Sequence, residues 1–231
     1  MNKRVKRILL WIGLLAVVGG SSYGLGWSNL FQVKVVAITG SAHTQQLEAT
    51  LTSAGISLHM GERMARVDVQ AVNRVISSID WISHVAISRN WLSGKVGIAV
   101  KEKVAIAGFL ATDGSMQYFD AAGNIFHSPD SLSAIPEVSF TSQDQPSRAA
   151  AATLIAAMPA DIRASLLSLH VSSPQSLVMS SSLVIPQLNI TWGSSTQIDI
   201  KVKVLRALLA IPENKKVRAI DLSQPSNPTA Q

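Results

Sequence analysis

The sequence predicts an α+β protein: a single transmembrane helix, then a β-α-α-β-β unit, then a mainly antiparallel β domain with flanking helices. Three observations support this prediction. A run of uncharged residues at 8–27 follows a basic N-terminus. The segment 31–102 alternates between β-prone and helical patterns in that order. The segment 103–222 is rich in short β-prone stretches that are separated by turn residues.

The first segment has the length and flanking charges of a membrane anchor. Residues 8–27 carry no charge, and as a helix they would cover the hydrocarbon core of a bilayer, about 30 Å. Basic residues precede the run within 1–7, and the next charge is Lys34. The positive-inside rule therefore predicts a cytoplasmic tail at 1–7 and the rest of the chain outside. A cleaved signal peptide is the alternative, but the apolar region is long and lacks an A-x-A cleavage pattern.

Composition narrows the possible function classes. The net charge is +6, but four of the 20 basic residues lie in the N-terminal tail. The remaining 16 basic residues exceed the 14 acidic residues by only two. A nucleic-acid-binding domain would carry its basic excess as a patch on the folded part, so this class is not expected. The absence of cysteine excludes a disulfide framework and a thiolate metal site.

The β-α-α-β-β unit is predicted from alternation and from helix signals. Asp68 is a helix N-cap followed by an apolar stripe of Val72, Val75, Ile76 and Ile79. The predicted elements are a strand at 31–38, a helix at 44–54 capped by Thr44, a helix from Asp68 to Ile79, strands around 85–87 and 96–100, and a turn at 91–94.

The second domain is predicted to be mainly β, with a hairpin turn at Asp113-Gly114. Its last residues, 223–231, contain Pro225 and Pro228 and are expected to form a loose tail. The predicted strands are 104–110, 116–119, 125–127, 138–140, 166–171, 177–179, 183–185, 188–192 and 217–222, and the predicted helices are 148–158, stopped by Pro159, and 194–210.

Four segments of the first unit carry a family pattern, namely VKVVAITG at 33–40, GISLHMGE at 55–62, WISHVAISRNW at 81–91 and GIAVKEKVAIA at 97–107. They show a first strand that ends in glycine, a glycine-containing connection and an aromatic-marked turn. This order resembles a POTRA domain, placed directly after a membrane span as in the FtsQ/DivIB family of bacterial cell-division proteins. That family often has Pro-Val-Ala where Val104-Ala105 follows Lys103 without a proline.

The resemblance continues through the second domain, in FDAAGNIF at 119–126, Ile135-Pro136, Trp192-Gly193, LRALLA at 205–210 and AIDL at 219–222. The resemblance implies a non-enzymatic divisome scaffold in the cell membrane at the division septum. Such a scaffold links division proteins outside the membrane and helps localise or regulate septal cell-wall synthesis. The implied partners are proteins of the FtsB/DivIC and FtsL type, septal synthases, and the lipid bilayer through the anchor.

One partner-binding surface is expected at the end of the chain. The segment Val217 to Leu222 is interpreted as a sheet edge, whose unpaired backbone groups accept a partner strand. In the resembled family, the C-terminal edge and the helix before it bind the small bitopic partners. Basic residues on that helix, including Lys203, are interpreted as a solvated face that attracts an acidic segment. The candidate residues are Lys201, Arg206, Val217, Arg218, Ala219, Ile220, Asp221 and Leu222.

No catalytic or cofactor site is predicted. The five histidines, at 43, 59, 84, 127 and 170, lack metal-ligand spacing. The carboxylate pairs Glu62 with Asp68, and Asp113 with Asp120, are interpreted as solvated loop residues. There is no nucleophile elbow and no P-loop. Two rival classes remain: a POTRA-containing component of protein transport or secretion, which would be expected to repeat the unit, and a membrane-tethered enzyme, which would need a catalytic constellation.

Overall fold

The computed structural model describes residues 3–27, 31–132, 135–184 and 187–231. Its backbone contacts divide the chain into two compact units, Met1–Glu102 and Lys103–Gln231. Each unit combines helices with a β-sheet. The predicted α+β class is therefore confirmed.

The N-terminal segment forms one helix, α1, at Lys3–Trp27, which has 25 residues. Trp11 and Tyr23 are exposed on it. The side chains at 1–9, 22 and 24–30 lie outside the described part of the chain. Among the described residues, no helix is both long enough and apolar enough to cross a membrane. The span at 8–27 stays a prediction.

After α1, the first unit contains a three-stranded sheet with two α-helices in its described residues. The helices and strands are β1 at Val35–Thr39, α2 at Thr44–Ser53, α3 at Val69–Ser77, β2 at Ile82–Asn90 and β3 at Lys95–Glu102, with a short 3-10 helix at Met64–Arg66. The strand order is β1-β3-β2, in which β1 runs parallel to β3 and β2 runs antiparallel to it. The predicted β-α-α-β-β order is therefore confirmed.

Local sequence signals explain these elements. The Asp68 carboxylate accepts a hydrogen bond from the N–H of Ala71 at 2.9 Å and caps α3, which buries Val72 and Ile76. Alternation places Val96, Ile98 and Val100 of β3 in the core. The predicted cap at Thr44 is wrong by one position, because His43 precedes the first helical residue and makes no side-chain cap bond.

The second unit contains two sheets with three helices. Its helices and strands are β4 at Ala107–Leu110, β5 at Met116–Phe119, β6 at Ile125–Phe126, β7 at Val138–Phe140, α4 at Gln145–Ala157, α5 at Ala160–Ala164, β8 at Leu166–Ser173, β9 at Ser176–Ser181, β10 at Leu188–Gly193, α6 at Ile198–Ala210, β11 at Ala219–Asp221 and β12 at Thr229–Ala230. Strands β4, β5 and β6 form one sheet, and the other has the order β12-β11-β10-β9-β8-β7.

Most strand pairs in this unit are antiparallel, as predicted, but β7–β8 and β10–β11 are parallel. The core lies on the six-stranded sheet, where Leu169, Met179, Ile190 and Trp192 are fully buried beneath α4 and α6. A continuous apolar core therefore fixes the position of α6 on the sheet.

Several element predictions differ from the structure. The strand predicted at 183–185 is a turn at 182–184, and Ile185 lies outside the described residues. Pro159 stops α4 as predicted, but it also precedes a short helix, α5, because proline suits the start of a helix. The final strand is shorter than the predicted 217–222, and residues near the chain end form β12 instead of a loose tail.

Candidate partner-binding surface

The six-stranded sheet ends in a parallel crossover followed by a hairpin. Strand β10 leads into α6, and the chain returns in β11, which pairs with β10 through Asn189 with Ala219 and Ile190 with Ile220. Gly193 begins the crossover with φ +65, and a Cβ there would lie 2.8 Å from the Cβ of Ser223. Only glycine fits this turn without moving the chain that follows β11.

Strand β11 is not a sheet edge, so that prediction is wrong. The N–H groups of Arg218 and Ala219 both donate to the Gln231 carbonyl, at 2.6 and 3.0 Å, and the Gln231 N–H donates to the Ala219 carbonyl at 2.9 Å. Strand β12 thus covers β11 in an antiparallel pair. The sequence signal was weak, because a two-residue strand after Pro228 is too short to show alternation.

Strand β12 is one of the two edge strands of this sheet in the part of the chain that the structure describes, and β7 is the other. Ala219 and Gln231 exchange both backbone hydrogen bonds. The next pair, Ile220 with Ala230, is therefore a non-hydrogen-bonded pair of the antiparallel ladder. It follows that the N–H and C=O of Ala230 point away from β11, toward the outer side of the sheet.

Lys201 is the largest departure from the predicted site. It was interpreted as part of a solvated face, but its side chain is only 1% exposed. The Nζ atom donates to the carbonyls of Trp192 and Ser194, both at 2.7 Å. Burial lowers the pKa of Lys201, and the charge of Asp221 partly opposes that change. Lys201 therefore joins α6 to the end of β10, and a partner cannot reach it.

Arg206 lies on the opposite, exposed face of α6. Its Nη2 donates to both carboxylate oxygens of Asp161, at 3.0 and 2.8 Å. The hydrogen bond from Arg206 lowers the pKa of Asp161. The guanidinium is therefore accessible, as predicted, but it is already paired with a carboxylate of α5.

The other candidate residues divide between core and surface. Ile220 and Leu222 are buried in the core of this unit. Val217, Ala219 and Asp221 are half-buried, and Arg218 is exposed. The surface that a partner can touch at this end is therefore built from Arg218, the exposed Lys216 and the outer side of β12.

The titratable groups elsewhere serve local structure. His43 Nδ1 lies 3.3 Å from Glu102 Oε1, and both ring nitrogens of His170 lie within hydrogen-bond distance of hydroxyls on β7 and the residue after it. Asp113 and Asp120 each accept bonds from their own turn, and the bond from the Ser115 hydroxyl lowers the pKa of Asp113. Among the described residues, no group of three His, Asp or Glu side chains could hold a metal ion.

Two comparisons with known proteins indicate which family this chain resembles. A model described as "POTRA domain, FtsQ-type" matches residues 31–103. A protein named "Cell division protein FtsQ" from Streptomyces bingchenggensis (strain BCW-1) is 27% identical over 240 residues, which cover 96% of this chain and 85% of that protein. Both comparisons support the FtsQ/DivIB family, and the resemblance in the sequence is confirmed in that sense. The transport or secretion alternative is not favoured.

Proposed function

We propose that this protein is a non-enzymatic divisome scaffold of the FtsQ/DivIB type. Residues 8–27 anchor it in the cell membrane with the N-terminus in the cytoplasm, and both compact units lie outside. It links proteins of the FtsB/DivIC and FtsL type at the septum and helps localise or regulate septal cell-wall synthesis. The FtsQ-type family match, the similarity to a cell division protein and the uncharged N-terminal run support this proposal.

The observation that carries the proposal is the outward-pointing backbone of Ala230 at the edge of the six-stranded sheet. A strand at a sheet edge offers unpaired backbone groups to another chain. A partner segment in extended conformation therefore gains backbone hydrogen bonds by adding to β12. The proposed strand-accepting edge is therefore β12, whereas the sequence predicts β11.

Charge at this edge favours an acidic partner segment. Lys216 and Arg218 are exposed beside β11, whereas Lys201 is buried. Complementary charge raises the rate of encounter more than it raises affinity. The backbone edge therefore supplies most of the docking, and the two cations steer an acidic segment of an FtsB- or DivIC-like protein.

Replacing Ala230 by proline tests the edge directly. Proline removes the outward N–H, and no bond within the sheet uses that group, so the fold should survive. We expect at least a tenfold weaker affinity for an FtsB- or DivIC-type partner, because the missing donor and the rigid ring block strand addition. The measurement is a binding titration with the detergent-solubilised full chain, accompanied by circular dichroism and thermal melts.

Ala230→Val is the matched control, because valine keeps the N–H and suits a strand. It should bind like the unchanged protein. Ala219→Pro is a contrasting variant, because it removes the N–H that bonds Gln231 and should lower the melting temperature as well. If Ala230→Pro stays folded and binds the partner with unchanged affinity, the partner does not add to β12.

Topology is tested with two reporters fused after Gln231. A reporter that is active only outside the cytoplasm should be active, because the basic residues within 1–7 hold the N-terminus inside. Activity from a cytoplasmic reporter alone would refute the proposed orientation.

A further inference from the structure

The turn between β2 and β3 exposes a large apolar side chain that the fold does not use. Leu92 lies in this turn and is 92% exposed. Met60, in the connection after α2, is 78% exposed. Both loops bond to the same stretch of chain: the Gly94 carbonyl accepts from Lys34 N–H at 2.7 Å, and Gly61 N–H donates to the Val33 carbonyl at 2.8 Å. The two exposed apolar residues therefore belong to one end of the first unit.

The turn itself is held in place by other residues. Trp91 packs edge-on against Phe31, with ring centroids 6.0 Å apart, and the Arg89 guanidinium lies 5.5 Å from the Trp91 ring. Gly94 has φ +70, and a Cβ there would come within 2.6 Å of the Gln32 carbonyl oxygen. Leu92 is thus presented on an ordered turn, and neither the core nor the turn geometry requires a leucine there.

Basic side chains surround this end. Lys95 begins the strand after the turn and Lys34 is bonded to the turn, and both are exposed; Arg63 lies beside them and is half-buried. Glu62, next to Arg63, is also half-buried. Exposed aliphatic residues, tryptophan and a cationic rim together are the composition that membrane interfaces favour.

The chain connectivity brings this end close to α1. Phe31 follows the last residue of α1, Trp27, by four positions, which an extended chain covers in about 14 Å. Helix α1 also contacts the 3-10 helix Met64–Arg66, which follows Arg63. With α1 in the bilayer, this end of the first unit is held at the level of the lipid headgroups.

We propose that the β2–β3 turn inserts Leu92 into the outer leaflet of the membrane, while the basic rim binds anionic lipid phosphates. The proposal rests on the membrane anchor of the proposed function. Transfer of a leucine side chain from water to an apolar environment has a strongly favourable free energy. Each cation near an anionic lipid surface adds to the attraction between the protein and the membrane. The contact fixes the tilt of the first unit relative to the membrane.

The absence of cysteine allows single reporters to be placed in the full chain. A Ser93→Cys variant carries an environment-sensitive fluorophore next to Leu92, and the chain is reconstituted in vesicles of phosphatidylethanolamine and phosphatidylglycerol. Lipids with a spin label near the headgroup should quench the fluorophore. Adding Leu92→Asp to the same variant should lower the inserted population roughly tenfold, because aspartate opposes insertion.

Two further reporters separate the contact from the anchor. Ala42→Cys is exposed beside His43, which contacts Glu102 at the far end of β3, about 23 Å from the turn at a strand rise of 3.3 Å per residue. Gly13→Cys lies within α1, where a Cβ meets nothing within 4 Å. We expect quenching at position 93 but not at position 42, and quenching at position 13 by deeply placed labels.

Each other outcome overturns the inference. Quenching at 13 without quenching at 93 refutes the contact and leaves the anchor standing. Equal quenching at 93 and 42, or quenching at 93 that survives Leu92→Asp, means that Leu92 does not insert. Absence of quenching at both 13 and 93 refutes the anchor and the contact together.

Discussion

The two faces of α6 place a cationic side chain in opposite environments. On the inner face, the ammonium of Lys201 is buried and bonded to two backbone carbonyls. On the outer face, Arg206 is exposed and paired with the carboxylate of Asp161. The two residues are five positions apart in a helix with an ordinary amphipathic pattern. A lysine in such a pattern is therefore not always a surface residue, because backbone carbonyls can accept the hydrogen bonds of a buried ammonium group.

Of the substitutions on and near α6, Lys201→Ala is expected to have the largest effect on stability. It removes a buried side chain and leaves the Trp192 and Ser194 carbonyls without their donor, so the free energy of unfolding should fall by about 2–4 kcal/mol. Chemical denaturation monitored by circular dichroism measures this change. Lys203→Ala, two positions along on the exposed side, is the control and should change stability by less than about 0.5 kcal/mol. Equal effects from both variants would mean that the buried contacts contribute nothing.

A smaller effect is expected from Arg218→Glu, which reverses an exposed charge beside β11. Partner affinity should fall by up to roughly fivefold at low salt, because exposed ion pairs contribute little each. The loss should shrink at high salt, since charges are screened over about 10 Å at 0.1 M. A binding titration at several salt concentrations tests this. A loss that does not depend on salt would indicate a packing contact at this position.

The smallest effect is expected from Arg206→Ala. The pair with Asp161 is exposed, so no measurable change in the free energy of unfolding is expected. The pKa of Asp161, which is lowered by the bond from Arg206, should rise toward the usual 3.8. Because the folded-state pKa is lowered, any stabilisation from this pair is present above the unfolded-state pKa and disappears as the pH falls through the folded-state pKa. An NMR titration of the Asp161 carboxyl carbon measures the shift, and an unchanged pKa would show that the pair does not form in solution.

Much of the fold could be predicted because its signals are local. Asp68 caps α3 and the apolar stripe after it is buried, as expected from helix periodicity. The alternation in β3 correctly predicted which residues face the core. The turn at Asp113-Gly114 also joins two paired strands, as predicted.

The candidate site could be predicted only in part, because its signals are not local. Helical spacing does not distinguish an inner lysine from an outer one unless the position of the sheet is known. Two residues of β12 carry no periodicity, and their pairing depends on a turn through Pro225 and Pro228. The sequence analysis placed the sheet edge on the wrong strand and assigned the buried Lys201 to the surface, and the partner-binding role of this region stays a proposal.

The sequence by itself determined the order of the parts, the uncharged run at 8–27 and the family pattern, because these depend on composition and on spacing along the chain. Three features are evident only from the tertiary structure: Lys201 is buried, β12 pairs with the outer side of β11, and Leu92 is exposed at one end of the first unit. The physical reason is that burial and strand pairing are properties of residues distant in sequence, and their free energies depend on which groups the fold brings together.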